Sequence, residues 1–166
     1  MKSRFMTIFV GLAMIATISA FPINAQDSNF STLDGQNVPL SSFRGTVVVL
    51  LFSGVRDPQR RDGLKALQEL SEREKGQNVK ICWVSINNET EMSNDQLRNI
   101  GSSAASVTIL RDANQAAFKR FKGSQLPTVV VLDKQGNPFG QPRGGFNPNS
   151  DFINDLASMI DALQRR

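Results

Sequence analysis

The sequence lacks histidine altogether and has a single cysteine, Cys82, among its 166 residues. Without histidine the chain has no copy of the commonest metal ligand and general base, so Ser–His–Asp and Cys–His catalysis are both excluded. One cysteine cannot close a disulfide within the chain, and it cannot supply a cysteine-rich zinc site. We therefore expect neither a bound metal nor a cofactor.

An excess of charge of one sign is also nearly absent. The chain has 19 basic and 15 acidic residues, which give a formal net charge of +4. Lys2 and Arg4 lie in an N-terminal segment that is separate from the rest of the chain, and without them the net charge falls to +2. An excess this small does not indicate nucleic-acid binding.

The first 25 residues have the pattern of an export signal. Lys2 and Arg4 form a short positive region, residues 5–20 are apolar, and Ala25 is a small residue suited to the cleavage site. Ile23 is not the small residue favoured three positions from the cut, so an uncleaved membrane anchor is the alternative, with an apolar stretch of about the minimum spanning length. Either way we expect a domain outside the cytoplasm, whether periplasmic, lumenal or secreted. Contact with a membrane is expected only if the segment is retained.

Residues 26–29 are predicted to be a polar linker, and residues 30–166 are predicted to form one domain. Asp34 and Gly35 lie between short apolar pieces, a pattern that predicts a β-hairpin. Further strands are predicted at 46–52, 78–87, 106–110, 127–133 and 137–142, and helices at 58–75, within 93–104 and 112–123, and at 151–163. Strands that alternate with helices predict an α/β fold in which a mixed sheet is covered on both faces.

Four segments in a particular order carry a resemblance to a known family. They are STLDGQNVPLSSFRGTVVVLLF, SGVRDPQRRDGLKAL, VKICWVSINNE and FKRFKGSQLPTVVVLDKQGNP. Together they resemble exported thioredoxin-fold proteins of the TlpA/redoxin type, over about residues 30 to 163. The resemblance implies a thioredoxin-like three-layer α/β/α sandwich with a mixed central sheet and an N-terminal β-hairpin extension.

The chain departs from this family at the position of the redox motif. An ungapped alignment places Asp57, Pro58, Gln59 and Arg60 where the family has Cys-Pro-Pro-Cys. Thiol–disulfide exchange requires a thiolate nucleophile and a second thiol that resolves the mixed disulfide. The peroxiredoxin relatives require one cysteine in this loop, and the copper-carrying relatives require cysteines and a histidine. We therefore expect no catalytic residue at these four positions.

The sequence Asp57-Pro58 is nevertheless suited to the start of a helix. Aspartate is a strong N-cap residue, since its carboxylate accepts hydrogen bonds from free backbone N–H groups in the first turn. Proline is favoured at the first helical position, where no donor is needed. We expect the Asp57 carboxylate to accept a hydrogen bond from the N–H of residue 59 or 60. Binding of a partner or a cation by this carboxylate is the alternative.

The resemblance also implies a binding groove beside the degenerate motif. Pro127 occupies the position of the family's cis-proline, so the groove is expected to include Arg56, Leu126, Pro127 and Thr128. In this family the groove holds extended peptide, and the expected partner is an extended peptide or another envelope protein. Arg56, Arg60 and Arg61 form either a solvated surface with local ion pairs or a rim that binds anions or acidic peptide.

Two functions remain open at this point, together with a third possibility. The first is an exported binding or assembly module without dithiol chemistry. The second is a redoxin-type enzyme of the cell envelope that acts through Cys82 or by an atypical mechanism. The third is a subunit of a larger extracytoplasmic complex. Cys82 lies in the apolar context KICWV, which favours a buried thiol that packs as a small apolar side chain.

Overall fold

A computed structural model describes residues 28–145 and 147–166 of the chain. The predicted export signal, residues 1–25, lies outside these residues, as do residues 26 and 27 of the predicted linker. Ser28 is buried and the first strand begins at Asn29, so the last two predicted linker residues belong to the domain. Within the described part of the chain, no helix is both apolar enough and long enough to cross a membrane.

The described residues form strands and helices in the predicted alternation. The strands are β1 (Asn29–Ser31), β2 (Asn37–Pro39), β3 (Val47–Ser53), β4 (Val79–Ser85), β5 (Thr108–Arg111), β6 (Thr128–Leu132) and β7 (Arg143–Gly144). The helices are α1 (Arg60–Arg73), α2 (Asn94–Gly101), α3 (Ala116–Arg120) and α4 (Ser150–Gln164), with a 3-10 turn at Leu40–Phe43.

The strands form one mixed sheet in the order β2-β1-β5-β4-β3-β6-β7. Strand β4 lies parallel to both β3 and β5, whereas β6 lies antiparallel to β3. The β1–β2 hairpin, predicted from Asp34-Gly35, is confirmed and extends the sheet through a pairing of Ser31 with Arg111. The thioredoxin-like fold with an N-terminal hairpin extension is therefore the fold of this chain.

Strand β3 is buried along its whole length because helices cover both faces of the sheet. Val47, Val49 and Leu51 point to one face, where they join the apolar side chains of α1, α2 and α4. Val48, Leu50 and Phe52 point to the other face, toward Phe118 and Phe121 of the α3 region. This alternation, with apolar residues at every position, explains why the sequence of β3 reads as one apolar run.

One predicted strand is wrong. Residues 137–142 do not form a strand: Pro138 makes only an isolated bridge to Leu132, and the strand that pairs with β6 is Arg143–Gly144. Proline lacks the N–H that a ladder requires. Gly140 then has a φ of +79°, which turns the chain before pairing can continue.

Helix α3 is much shorter than the predicted segment 112–123. It spans Ala116–Arg120, because Gln115 before it and Lys122 after it both adopt left-handed backbone conformations. The apolar residues Phe118 and Phe121 are buried as predicted. The predicted burial of these side chains is therefore confirmed, although the helix itself is only five residues long.

Candidate functional site

Three chain segments meet at one edge of the central sheet. Strands β3 and β4 are parallel with Ser53 level with Ser85, and β6 begins beside Phe52 at Thr128. Residues 54–59, here called the site loop, follow β3, and residues 124–127, the proline loop, precede β6. Because the carboxyl ends of parallel strands lie at the same edge, this is where open α/β sheets place their ligand sites.

The Asp57 carboxylate lies inside the site loop and is only 5% exposed. One oxygen accepts a hydrogen bond from the Ser53 hydroxyl at 2.7 Å, and the other accepts one from the Gln59 N–H at 2.9 Å. The predicted bond to the N–H of residue 59 or 60 is therefore present. The carboxylate is a structural group of the loop, and it is turned away from solvent.

The predicted start of the helix is wrong by two residues. Helix α1 begins at Arg60, and its first carbonyl acceptor is Gln59, which is bonded by the Gly63 N–H at 2.8 Å. Residues 57–60 form a turn in which the Arg60 N–H donates to the Asp57 carbonyl at 3.4 Å. Pro58 lies in that turn and is exposed. Asp57 therefore accepts its backbone hydrogen bond in the turn that precedes the helix, and the N-cap position itself is Gln59.

Arg60 folds back over the site loop. Its Nη1 group lies 3.4 Å from both the Gly54 and the Val55 carbonyl oxygens, to which it donates. The Nε of Arg60 and the Oε1 of Gln59 are buried atoms without a hydrogen-bond partner among the described residues. The residues that replace the two motif cysteines thus fix the conformation of the loop.

Asn87 ties the site loop to the end of β4. Its Oδ1 accepts the Val55 N–H at 2.7 Å, and its Nδ2 donates to Glu91 at 3.1 Å. Buried Arg111 donates to the Asn87 carbonyl at 2.6 Å, and the loss of hydration on burial lowers the pKa of that guanidinium. The predicted strand 78–87 ends at Asn87, and no site role was predicted for this residue. Its side chain reaches Val55 because β3 and β4 pair with Ser53 level with Ser85, which places residues 55 and 87 at the same distance beyond the pair.

The proline loop faces the site loop, and the Leu126–Pro127 peptide bond is cis. A side chain added at Gly54 would lie 3.3 Å from the Leu126 Cδ1 atom, so the two loops are in close contact. Pro127 is buried, and its carbonyl accepts a hydrogen bond from the Gly145 N–H at 2.9 Å.

The predicted groove has less side-chain surface than expected. Thr128 is 1% exposed, and its hydroxyl donates to the Gln125 carbonyl, which fixes the loop from inside. Of the four predicted groove residues, only Arg56 and half-buried Leu126 present side chains, because Thr128 and Pro127 are directed into the fold. Val55, at 48% exposed, is a prominent side chain of this edge that the sequence interpretation did not identify.

Cys82 is fully buried in the middle of β4, paired in register with Leu50 of β3 and Thr108 of β5. Its side chain packs in the apolar cluster on the α3 face. Burial raises the pKa of the thiol to about 12, and nearby Lys80 only partly opposes this effect. A thiol with so high a pKa has almost no thiolate at neutral pH.

Another buried carboxylate, Asp112, lies behind the same edge of the sheet. Its backbone N–H donates to the Ser85 carbonyl, and its carboxylate accepts hydrogen bonds from the N–H groups of Ala117 and Phe118 at 3.2 and 2.8 Å. Burial raises the pKa of Asp112, whereas these backbone hydrogen bonds oppose the rise. Asp112 therefore caps the short helix α3. Within residues 28–145 and 147–166, no three acidic or cysteine side chains are grouped closely enough to hold a metal ion.

The sequence matches the model of the AhpC/TSA family over residues 23–137. The chain belongs to the AhpC/TSA family. This assignment agrees with the resemblance to redoxins drawn from the four sequence segments. No curated protein sequence matches the chain.

Solved structures with the thioredoxin fold are similar to this family member over most of their length. The exposed lipoprotein thioredoxin Etrx1 of Streptococcus pneumoniae is 20% identical, with a TM-score of 0.63 over 80% of this chain and 98% of that one. A secreted Mycobacterium tuberculosis disulfide oxidoreductase is 17% identical, with a TM-score of 0.61 over 81% of this chain and 95% of that one. StoA from Bacillus subtilis is 16% identical, with a TM-score of 0.60 over 79% and 93% of the two chains. Identities this low establish the shared fold alone.

Proposed function

We propose that this AhpC/TSA family member is an exported binding or assembly module that catalyses neither thiol–disulfide exchange nor peroxide reduction. The observation that carries the proposal is the residue that the site loop has at the position of the family's nucleophilic thiol. Where the family has a nucleophilic thiol, this chain has the Asp57 carboxylate, which is buried and hydrogen-bonded to Ser53 and Gln59.

The chemistry of the available groups supports the absence of turnover. Exchange begins when a thiolate attacks a disulfide sulfur, and peroxide reduction begins when a thiolate attacks an oxygen. A carboxylate does neither under physiological conditions. The chain's one thiol, Cys82, is fully buried and has a raised pKa, so neither attack has an accessible nucleophile.

The order of the site loop, at the edge of the sheet where β3 and β4 end, supports a binding role. The loop at this edge is held by Asp57, Arg60 and Asn87, each through side-chain hydrogen bonds to its backbone or neighbours. These bonds leave Val55 and Arg56 directed to solvent. A preorganised loop loses little conformational entropy when a partner binds, which is the property expected of a docking surface. An extended peptide or another envelope protein is the proposed partner.

Export is part of the same proposal. It is supported by the charged and apolar pattern of residues 1–25. It is also supported by the similar structures that are described as an exposed lipoprotein and a secreted protein. Fusion of residues 1–29 to a reporter that is active only outside the cytoplasm tests this part. A reporter that stays inactive, although the fusion is expressed, would contradict export.

The binding role is tested by photo-cross-linking in the native host. A photoreactive residue at Val55 should form an adduct with a defined polypeptide, whereas the same residue at Gln135 should not. Gln135 is an exposed residue that follows β6, at the opposite end of the sheet. Equal adducts from both positions, or none from Val55 in folded protein, would argue against a docking surface at this edge.

A further inference from the structure

Four residues at the site edge form a surface that we call the arginine patch: Val55, Arg56, Arg60 and Arg61. Val55 is the one large apolar side chain exposed among the described residues. Arg56 follows it directly, and the Arg60 guanidinium reaches back to the Val55 carbonyl. Arg61 is exposed on the first turn of α1. The patch thus joins an apolar side chain to the exposed guanidinium groups of Arg56 and Arg61, while Arg60 lies against the loop backbone between them.

Three other arginines of the described domain have carboxylate partners that the arginines of the patch lack. Arg73, Arg98 and Arg143 each form an ion pair with a carboxylate of the chain. In the part of the chain that the structure describes, no carboxylate lies within ion-pair distance of a patch arginine, including that of exposed Asp62. The arginines of the patch are therefore without an ion-pair partner within the described fold.

A hollow with mixed polar and apolar lining adjoins the patch. It lies between α1 and α2, has a volume of about 410 Å³, and is lined by Arg61, Leu64, Asn99, Ile100 and Ser103. Leu64 and half-buried Ile100 contribute its apolar lining, and Arg61 contributes a positive charge. A partner residue with an apolar side chain next to a carboxylate fits this combination.

We propose that the arginine patch recognises an extended polypeptide segment in which carboxylates flank apolar residues. This inference rests on the proposed binding function and names the class of partner. Arginine binds carboxylates through two parallel hydrogen bonds, which fixes orientation as well as sign. Arginine is also one of the three residue types enriched among those that dominate binding energy, and such residues bind best where neighbouring contacts exclude water. Val55 and the hollow supply apolar surface for those contacts.

The test measures binding of the purified protein to a short fluorescent peptide of Glu-Glu-Leu units separated by Gly-Ser. Peptides with Lys or Gln in place of Glu are the comparisons. The acidic peptide should bind, the Gln peptide should bind about tenfold more weakly or worse, and the Lys peptide should not bind. Affinity for the acidic peptide should fall as salt is raised, because exposed charges are screened.

The matched variants separate the patch from overall charge. Arg56→Glu with Arg61→Glu should weaken binding of the acidic peptide by about tenfold or more, since like charges then face each other. Arg44→Glu with Lys80→Glu changes the net charge by the same amount, at exposed positions near the N-terminal ends of β3 and β4. Since these ends lie away from the site loop, this variant should leave binding within about twofold. Equal weakening by both variants would overturn the proposal. Thermal unfolding midpoints of both variants verify that they are folded.

Three further outcomes distinguish failure of this inference from failure of the function on which it rests. Binding of phosphatidylglycerol vesicles without binding of the acidic peptide would overturn the peptide proposal in favour of a membrane surface. Failure of the acidic peptide to bind would also overturn it, and would leave the proposed absence of redox turnover standing. Redox turnover by the wild-type protein would contradict the proposed function whichever peptide binds.

Discussion

Replacement of Asp57 by alanine is the sharpest perturbation of the site loop. The carboxylate is 5% exposed and accepts hydrogen bonds from the Ser53 hydroxyl and the Gln59 N–H. In Asp57→Ala both donors lose their acceptor, because the alanine side chain has no oxygen. The site loop should therefore lose its internal brace while the sheet stays intact.

The magnitude follows from the two bonds. A hydrogen bond to a charged group contributes about 1.5–3 kcal/mol, and the cost of burying the carboxylate, which the variant no longer bears, offsets part of the sum. We expect the free energy of unfolding to fall by about 2 kcal/mol, which corresponds to a shift of about 1 M in the urea midpoint. The chain's single tryptophan, Trp83, is fully buried and reports the transition by fluorescence.

Two control variants isolate the hydrogen bonds from the helix dipole. Asp57→Asn keeps an oxygen for the Gln59 N–H and should lose no more than about 1 kcal/mol. Asp62→Ala removes an exposed carboxylate from the first turn of α1 and should lose less than about 0.5 kcal/mol. If Asp57→Ala is as stable as the wild type, or if Asp62→Ala is destabilised equally, the interpretation of Asp57 as the brace of the loop is wrong.

Three further predictions concern Cys82, the degenerate motif and Asp112. Cys82 should react with a thiol reagent at pH 8 roughly 10³-fold more slowly than a free cysteine, because its raised pKa leaves little thiolate, and it should react fully in urea. Asp57→Cys with Arg60→Cys should form an intramolecular disulfide under oxidising conditions, since the turn brings the two positions within bridging distance. If mass spectrometry finds both thiols free in the folded protein, the alignment of the motif is wrong. Burial raises the pKa of Asp112, so its protonated form stabilises the fold, and this stability should be lost as pH rises from about 4 through the raised pKa. Urea midpoints measured across this pH range should show the loss in the wild type and not in Asp112→Asn. An identical pH dependence of the two proteins would refute the prediction.

The fold was predictable where burial dictates the residue pattern. The apolar runs of β3 and β4 identify central strands because covered strands leave no polar face, and the stripe of α4 identifies a helix packed on one side. Backbone details were less predictable. A proline at position 138 and a left-handed glycine at position 140 moved the last strand to Arg143–Gly144.

The site was only partly predictable, because its contacts join residues that are distant in sequence. The bond from Gln59 to Asp57 is local and was predicted from the capping preference of aspartate. The bond from Val55 to Asn87 depends on the register of β3 against β4, which a single sequence does not give. The inward orientation of Thr128 likewise depends on its pairing with Phe52.

Whether this chain has redox activity is measured by the rate of insulin disulfide reduction, with hydrogen peroxide consumption followed in parallel. Wild-type protein, Cys82→Ala and Asp57→Cys with Arg60→Cys are assayed side by side at equal concentration with a thiol reductant. We expect background rates for the first two proteins, and disulfide reduction above background for the double-cysteine variant. Turnover by the wild type would contradict the proposed absence of redox catalysis, and turnover that survives in Cys82→Ala would show that the chain carries a redox chemistry independent of any thiol.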